Sequence, residues 1–272
     1  MNMLTKILKL HKFVSAELNI PNEFPDGNYE YYMGKIATII VIPVHQIYCD
    51  FLIPYVSANL IIFASKHFSA AGQKALLVHT TGIWGIAGEH GGKDHEIAIA
   101  PAYALYHGYH LIKELHAKHG LHEYWVGIEV THHGPTSFDI PVLFIETGGT
   151  IEEWNDQRAC DLIGEVVVEI AKIYNQEVPE LEAKPTMIGI GGGHYAPAFI
   201  RRMDEEKYYL GHIMPKFVLE NITKDLIQQT WERTQANEKL FLIDKKGARS
   251  ADRHRIIGFI EELGYNWQYS KS

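Results

Sequence analysis

The densest group of side chains that could do chemistry lies in residues 129–136, with the sequence EVTHHGPT. Apolar residues alternate up to this point and predict a strand, and the Gly-Pro pair after the histidines predicts a turn. Polar groups that follow a strand lie at the carboxyl edge of a sheet, where open α/β proteins bind ligands. His132 and His133 could therefore bind a metal ion or transfer protons, and Glu129 could orient an imidazole or act as a base. The alternative is that the two histidines only cap the sheet through hydrogen bonds.

A second feature is the glycine-rich segment 189–195, with the sequence GIGGGHY. It is neither the dinucleotide-binding fingerprint, because His194 stands where a glycine is needed, nor a P-loop. Glycines after a strand can turn backbone N–H groups toward an anion, so Gly191, Gly192 and Gly193 could bind a phosphate or a developing oxyanion. A tight structural turn is the alternative.

Three weaker features surround these two. His79 begins an HTTG segment, and residues 90–96 (HGGKDHE) offer further imidazoles and carboxylates without a recognised zinc spacing. In that second segment Lys93 could pair with a phosphate or carboxylate, or be a surface turn residue. His212 follows a strand-like run and is a further candidate. The five histidines between residues 107 and 122 are best explained as the polar flank of one helix.

The elements that must position these groups alternate between short β-rich segments and helical ones, which favours an α/β fold with a mixed or parallel sheet. No repeat or linker interrupts the chain, so we expect one domain. Thr150 and Glu153 match a capping box, and the helix after it has a buried stripe and an acidic, solvated one. Strands are predicted at residues 36–42, 60–64, 75–79, 125–131, 142–146, 187–190, 208–214 and 240–243, and further helices at 101–119 and 251–263.

Composition excludes several classes of protein. The 272 residues are 46% hydrophobic and 21% charged, which is typical of a globular protein rather than a disordered or fibrous one. Cys49 and Cys160 are far apart and form no metal-binding pair, which indicates a reducing compartment. No apolar run is long enough to span a membrane, and the N-terminus lacks a cleavable signal. We therefore expect a soluble, cytoplasmic protein.

The net charge of −8 is unevenly distributed. Residues 152–182 contain nine acids and two bases, a local charge of −7, most of which we assign to the outer face of one helix. Residues 239–255 contain six bases and two acids, a local charge of +4. Such a patch could contact phosphates, with Arg253 and Arg255 as the expected contacts, although a solvated helix flank would also explain it.

Taken together, the motifs resemble the archaeal- and plant-type D-aminoacyl-tRNA deacylases. The resemblance covers about residues 60 to 217, whereas the first 35 residues or so cannot be matched. Ile83 stands where the family carries Asn, a difference that bears on affinity or substrate range. The matching strings are HTTG at 79–82 with Trp84 and Gly85, GGKD at 91–94, EVTHHGPT at 129–136, FIE at 144–146, GIGGGHYAP at 189–197 and GHIMPK at 211–216.

This resemblance implies a hydrolase that cleaves the ester between a D-amino acid and tRNA, a chiral proofreading activity with zinc as cofactor. It also implies a single α/β domain over residues 1–272, with a central mixed sheet flanked by helices as in nucleoside phosphorylases and peptidyl-tRNA hydrolases. We expect a monomer that acts on D-aminoacyl-tRNA and does not bind membranes.

For such a reaction the protein needs an activated water, stabilisation of an oxyanion and a holder for the tRNA end. The expected zinc ligands are His79, His132, His133 and His194. The expected catalytic residues are Glu129, His132, His194 and His212, with Glu129 or Glu146 orienting the ligands. The expected substrate-binding residues are Lys93, Thr136, Gly191, Gly192, Gly193 and Lys216. A zinc-dependent peptidase and a non-catalytic tRNA- or nucleotide-binding module are the alternatives.

Overall fold

The structure is a computed structural model that describes residues 2–17, 20–175 and 184–270. The described helices are α1 (Asn2–Leu10), α2 (Ala102–Lys118), α3 (Ile151–Trp154), α4 (Gln157–Asn175), α5 (Pro197–Asp204), α6 (Lys224–Glu232) and α7 (Ser250–Glu262). The described strands are β1 (Phe13–Ala16), β2 (Glu30–Gly34), β3 (Thr38–Val41), β4 (Ile61–Phe68), β5 (Ala75–His79), β6 (Trp125–Ile128), β7 (Val142–Gly149), β8 (Thr186–Ile190), β9 (Tyr209–Met214), β10 (Lys239–Ile243) and β11 (Trp267–Tyr269).

Three sheets are formed from these strands. A small antiparallel sheet has the order β1-β2-β3, a mixed sheet has the order β4-β7-β5-β6, and a parallel sheet has the order β11-β10-β8-β9. In the mixed sheet β7 runs parallel to β4 but antiparallel to β5. The α/β class with a mixed sheet flanked by helices is confirmed, but the strands are divided among three sheets.

Residues that continue β6 join the mixed sheet to the parallel one. The N–H of Val130 donates to the carbonyl of His194 at 2.9 Å, and the N–H of Thr131 donates to the carbonyl of Ile213 at 3.1 Å. The edge strands β6 and β9 therefore meet through residues 130 and 131. Because the segment that contains the two adjacent histidines begins here, the junction of the sheets positions the candidate site.

Alternation along the strands separates a buried apolar face from a functional one. Leu76 and Val78 pack with α2 and α4 in the largest apolar core, whereas the side chains between and after them, Leu77 and His79, point to the opposite face. That opposite face is covered at one end by apolar residues of the segment 24–56, among them Leu52. The rest of this face is polar and holds the candidate site.

The capping box is present, but the helix after it is interrupted. The Thr150 hydroxyl accepts from the N–H of Glu152, and the Glu153 carboxylate accepts from the N–H of Thr150 at 2.8 Å. The short helix α3 ends at Trp154, and α4 begins separately at Gln157. The box therefore caps α3 rather than the long amphipathic helix.

Part of the predicted solvated face of α4 is covered by α1. Lys6 of α1 contacts the Glu165 carboxylate at 2.8 Å, and Glu165 also contacts His119 at 3.2 Å. Gly164 permits this approach, because a Cβ there would lie 2.9 Å from the Lys6 side chain. The acidic residues Glu177, Glu180 and Glu182 lie outside the described residues. None of the helices in the described ranges is long and apolar enough to cross a membrane.

Candidate functional site

Four strands or their continuations contribute polar side chains to one face of the mixed sheet. Leu77 of β5 is aligned with Glu146 of β7 and with Gly127 of β6, and Glu146 is aligned with Ser65 of β4. Since side chains alternate along a strand, residues two positions away share the same face. Four polar side chains therefore converge on this face: His67 at the end of β4, His79 at the end of β5, Glu129 after β6 and Glu146 within β7.

The imidazoles of His79, His132 and His133 have the same orientation. The Nδ1 atoms of His79, His132 and His133 lie 3.1, 2.7 and 2.6 Å from backbone carbonyls of residues 80, 130 and 134, respectively. A carbonyl only accepts hydrogen bonds, so each Nδ1 carries a proton, and each Nε2 can offer a lone pair when its ring is neutral. The three ligand atoms of this group lie within 4.8 Å of one another. This is the arrangement in which a backbone carbonyl fixes the tautomer of a metal-binding histidine.

Glu129 connects these histidines to the glycine-rich loop. Its side chain is fully buried, and its carboxylate accepts a hydrogen bond from Nε2 of His194 at 2.5 Å. His67 Nδ1 lies 3.4 Å from Glu129 and 3.6 Å from Glu146. His79 Nε2 lies 3.9 Å from Glu129 and 3.8 Å from Glu146, so both carboxylates stand between imidazoles.

Burial and the carboxylates shift the pKa values in opposite directions. Burial alone would lower the pKa of His67 and His79, but Glu146 and Glu129 outweigh it and raise both. Burial alone would raise the pKa of Glu146, yet interaction with His67 and His79 holds it well below its usual range. Burial, and then neighbouring imidazoles, lowers the pKa of His132 well below its usual value and that of His133 to about 3. Glu146 is therefore ionised and the adjacent pair is neutral, the states in which such groups bind a cation.

The donor set fits a metal ion. Three overlapping groups could each hold one: His79, His132 and His133; Glu129, His132 and His194; and His67, Glu129 and Glu146. The first two groups share His132, and the last two share Glu129. Within the described ranges, Nε2 of His79 and one carboxylate oxygen of Glu129 are buried without a hydrogen-bond partner. Buried polar atoms are normally paired, so these two atoms fit the role of ligands to a cation.

His67 is a member of this centre that sequence reasoning missed. It is the third inward-facing residue of β4 after Phe63 and Ser65, and the strand alternates between buried and exposed positions. A polar residue on the buried face of an amphipathic strand was the available signal. Tyr195 lies beside it, with its hydroxyl 3.3 Å from His67 Nε2, and packs edge to face against Trp125 at 4.8 Å.

The loops behind the adjacent histidines pack so closely that glycine is required. A Cβ on Gly91 would lie 2.1 Å from the carbonyl oxygen of Ile47, and one on Gly92 would lie 2.7 Å from the Thr136 side chain. Both glycines have positive φ angles, of 66° and 74°. His133 itself adopts a φ of 42°, an uncommon conformation, and its carbonyl accepts from the N–H of Gly82 at 2.8 Å.

Comparison with known proteins identifies the family of this site. The family model described as D-aminoacyl-tRNA deacylase matches residues 55–268. The chain belongs to the D-aminoacyl-tRNA deacylase family. It is 35% identical over 271 residues to the D-aminoacyl-tRNA deacylase of Thermococcus onnurineus, covering 97% of this chain and 93% of that one. It is 32% identical over 270 residues to that of Pyrococcus horikoshii, with the same coverage.

A solved structure has the same fold. The crystal structure of the conserved protein of unknown function AF0625 superimposes with a TM-score of 0.82 at 26% identity, and the match covers 99% of this chain and 90% of that chain. The family resemblance inferred from the motifs and the α/β class are both confirmed. The expected likeness to phosphorylases and peptidyl-tRNA hydrolases stays a prediction.

Several family motifs have structural rather than chemical roles. In the HTTG motif, the Thr81 hydroxyl donates to the carbonyl of Pro135 at 2.6 Å, and the N–H of Gly82 donates to the carbonyl of His133 at 2.8 Å. Ile83, at the position where the resemblance leads us to expect Asn, is buried, and its N–H donates to the carbonyl of Glu96 at 2.8 Å. This departure from the family pattern therefore alters an internal position of the supporting loop.

Thr136 was predicted to bind substrate, but in the structure its hydroxyl already has protein partners. It is fully buried, its hydroxyl donates to the Glu96 carboxylate at 2.6 Å, and the same oxygen accepts from the N–H of Lys93 at 2.9 Å. Thr136 therefore fixes the loop that contains Lys93. The Lys93 ammonium itself is exposed and lies 3.9 Å from Glu96.

His212 was expected to be catalytic, but it lies apart from the metal-binding groups. It is fully buried, with Nδ1 at 3.2 Å from the Thr80 hydroxyl and 3.1 Å from the Thr131 hydroxyl. Burial lowers its pKa to about 3, so it is neutral. The Thr131 hydroxyl also accepts from the N–H of Ile213 at 3.0 Å, so this network ties the two sheets together.

The glycine-rich loop is only in part available to an anion. The N–H of Gly191 donates to the carbonyl of Met214 at 2.8 Å, and that of Gly192 donates to the carbonyl of Gly247 at 2.9 Å. Two of the three predicted anion-binding amides are therefore used within the protein, which corrects the expectation for them. Gly193 remains a candidate, as does exposed Lys216, whose N–H donates to the carbonyl of Gly192 at 2.9 Å.

Two other predictions need correction. Arg253 donates to the carbonyls of residues 245 and 248, and Arg255 donates to those of residues 219, 220 and 222, so both guanidinium groups stabilise the backbone and are less available to RNA than expected. On α2, His107 and His110 are not simply exposed, because they pack against the rings of Tyr103 and Tyr106.

Proposed function

We propose that this protein hydrolyses the ester bond between a D-amino acid and tRNA, as the names of its relatives state for them. Family membership supports the substrate class. Three imidazoles with the same tautomer beside two buried carboxylates support hydrolysis, and this convergence is the observation on which the proposal depends. Residues 1–272 would act as one deacylase unit, as a monomer in the cytoplasm.

The geometry supports zinc as the cofactor, held by Nε2 of His79, His132 and His133, with Glu129 beside them. Imidazole and carboxylate donors without cysteine suit zinc, and three protein ligands leave a position open for catalysis. When bound, zinc would act as a Lewis acid that activates water and polarises the ester carbonyl. His67 and Glu146 would orient this centre from β4 and β7.

His194 is the side chain best placed to move the proton. It is 39% exposed, whereas Glu129, which binds its Nε2, is fully buried. A water at Nδ1 of His194 would give this nitrogen its proton as the water oxygen bonds to the ester carbon. Collapse of the tetrahedral intermediate would break the ester bond, and the proton would pass to the leaving ribose oxygen. The Glu129 carboxylate stabilises the imidazolium between these two steps.

The decisive experiment is the release of D-tyrosine from D-tyrosyl-tRNA, with L-tyrosyl-tRNA and a set of dipeptides in parallel and the zinc content measured. We expect turnover of the D-form only, loss of turnover with a chelator and restoration by zinc. Cleavage of dipeptides without deacylation would establish the peptidase alternative. Binding of tRNA without any turnover would show that the protein is a non-catalytic binding module. Equal hydrolysis of both tRNA esters would exclude a role in chiral proofreading.

A further inference from the structure

The topology of the parallel sheet predicts a crevice at its carboxyl edge, where exposed lysines lie that the proposed chemistry does not use. β8 is followed by α5, which packs in the core formed with α2 and α4. Its neighbours β9 and β10 are followed by α6 and α7, which pack on the opposite face of the sheet. Where adjacent strands send their connections to opposite faces, a crevice opens at the carboxyl edge, and α/β proteins bind ligands there. This crevice is centred on the glycine-rich loop after β8.

Backbone hydrogen bonds fix the loops on both sides of this crevice. The carbonyl of Gly192 accepts from the N–H of Lys216 in the loop after β9, at 2.9 Å. The N–H of Gly192 donates to the carbonyl of Gly247 in the loop after β10, at 2.9 Å. His194 is two residues away from Gly192, so the three loops form one rim beside the proton-transfer group.

This rim combines positive charge with an exposed aromatic ring. Lys216, Lys245 and Lys246 are all exposed, and the Phe217 side chain is 64% exposed. Of the acidic groups here, the Asp244 carboxylate is turned back into its own loop, where it accepts from the N–H of Lys246 at 3.0 Å. Arg249 and Glu220, farther along the same edge, pair with each other at 3.4 Å.

We propose that this basic rim, defined as Lys216, Phe217, Lys245 and Lys246, binds the single-stranded 3′ end of the tRNA. The inference rests on the proposed function. Ammonium groups would contact the phosphates, and the Phe217 ring would stack on a base, the combination by which proteins hold single strands without reading their sequence. Because the N–H groups of Gly191 and Gly192 are already bonded, the side chains of the rim would supply most of the phosphate contacts, and of the three glycine amides only that of Gly193 is left as a candidate.

The test compares wild type with Lys245→Ala/Lys246→Ala and with Phe217→Ala, in binding of fluorescent uncharged tRNA and in turnover of D-tyrosyl-tRNA. Removing two phosphate contacts should reduce the slope of log affinity against log salt by about 1.4. Losing one stacked base should weaken binding and raise KM by about 5- to 150-fold, with little change in kcat. Phe217→Trp should restore binding, because it restores an aromatic face.

Lys207→Glu is the matched control, because this side chain is 68% exposed and precedes β9, at the opposite edge of the same sheet. It should leave affinity and the salt slope unchanged. Unchanged slope and KM in the rim variants of an active wild-type enzyme would overturn the proposal, as would an equal effect of Lys207→Glu. A wild type that binds tRNA with the expected rim dependence but releases no D-tyrosine would instead contradict only the proposed function.

Discussion

Glu129→Gln tests the proposed centre most directly. The side chain is fully buried and receives the 2.5 Å hydrogen bond from His194 Nε2, with His67 at 3.4 Å and His79 at 3.9 Å. Glutamine preserves the shape and can still accept one hydrogen bond, but it removes the charge that stabilises the imidazolium. A hydrogen bond to a charged group contributes about 1.5–3 kcal/mol. We therefore expect kcat/KM for D-tyrosyl-tRNA to fall by about 10- to 150-fold, since 1.4 kcal/mol is a factor of about ten.

The assay should measure deacylation rate, zinc content and thermal unfolding on the same preparations. Zinc affinity should fall by about 10- to 100-fold, because Glu129 also lies beside the metal-binding imidazoles. Titrating zinc back to saturation separates the two effects, since only the loss of imidazolium stabilisation remains when the site is full. A folded, zinc-saturated Glu129→Gln enzyme with wild-type kcat/KM would refute the proposal that Glu129 orients His194 and stabilises its imidazolium form.

Three other predictions concern the framework of the site. Thr131→Val should lower the free energy of unfolding by about 1–3 kcal/mol in denaturant titrations, because the N–H of Ile213 and Nδ1 of His212 lose a buried partner; an unchanged midpoint would contradict this. The hydrogen bond from Thr150 holds the pKa of Glu153 at about 2, so its stabilisation is complete above about pH 4.5 and is lost as pH falls toward 2. The stability difference between wild type and Glu153→Gln, about 1–2 kcal/mol at pH 7, should shrink over that range, and a constant difference would be inconsistent with it. Burial raises the pKa of the Cys49 thiol to about 12, so a thiol reagent should label it only after unfolding, and rapid labelling of the native protein would show the core to be open.

Local patterns were sufficient to predict much of the fold. Short apolar, β-rich runs located the starts of β5, β7 and β8 within one residue, and Thr150 with Glu153 marked a helix start, because these signals depend on neighbouring residues only. The sequence pattern did not show that β7 runs antiparallel to β5, since strand order depends on long-range packing. For the same reason His67, which is 62 residues from Glu129 in sequence, was not recognised as part of the site.

Several predicted site residues have the right chemistry, but their hydrogen bonds are already made within the protein. Thr136, His212, Gly191 and Gly192 each hold the backbone of a loop or join the sheets. Arg255 is another example, because its guanidinium donates to three carbonyls. Residue type and spacing indicate what a side chain could do, whereas availability is decided by tertiary partners that a single sequence does not reveal.

The two joined sheets have different functions in the proposed hydrolysis: one positions the reacting groups, and the other provides the loops that bind RNA. The reversed direction of β7 places Glu146 between His67 and His79, so these three groups project from strands and are held rigidly on a sheet face. The parallel sheet supplies the loops at its carboxyl edge, where long, flexible lysines can follow an RNA strand. The hydrogen bond from the N–H of Val130 to the carbonyl of His194 connects the two regions at the point where the ester would lie. A change that loosens this connection should therefore reduce kcat more than tRNA affinity, because the RNA would still bind while its ester lost alignment with the proton-transfer group.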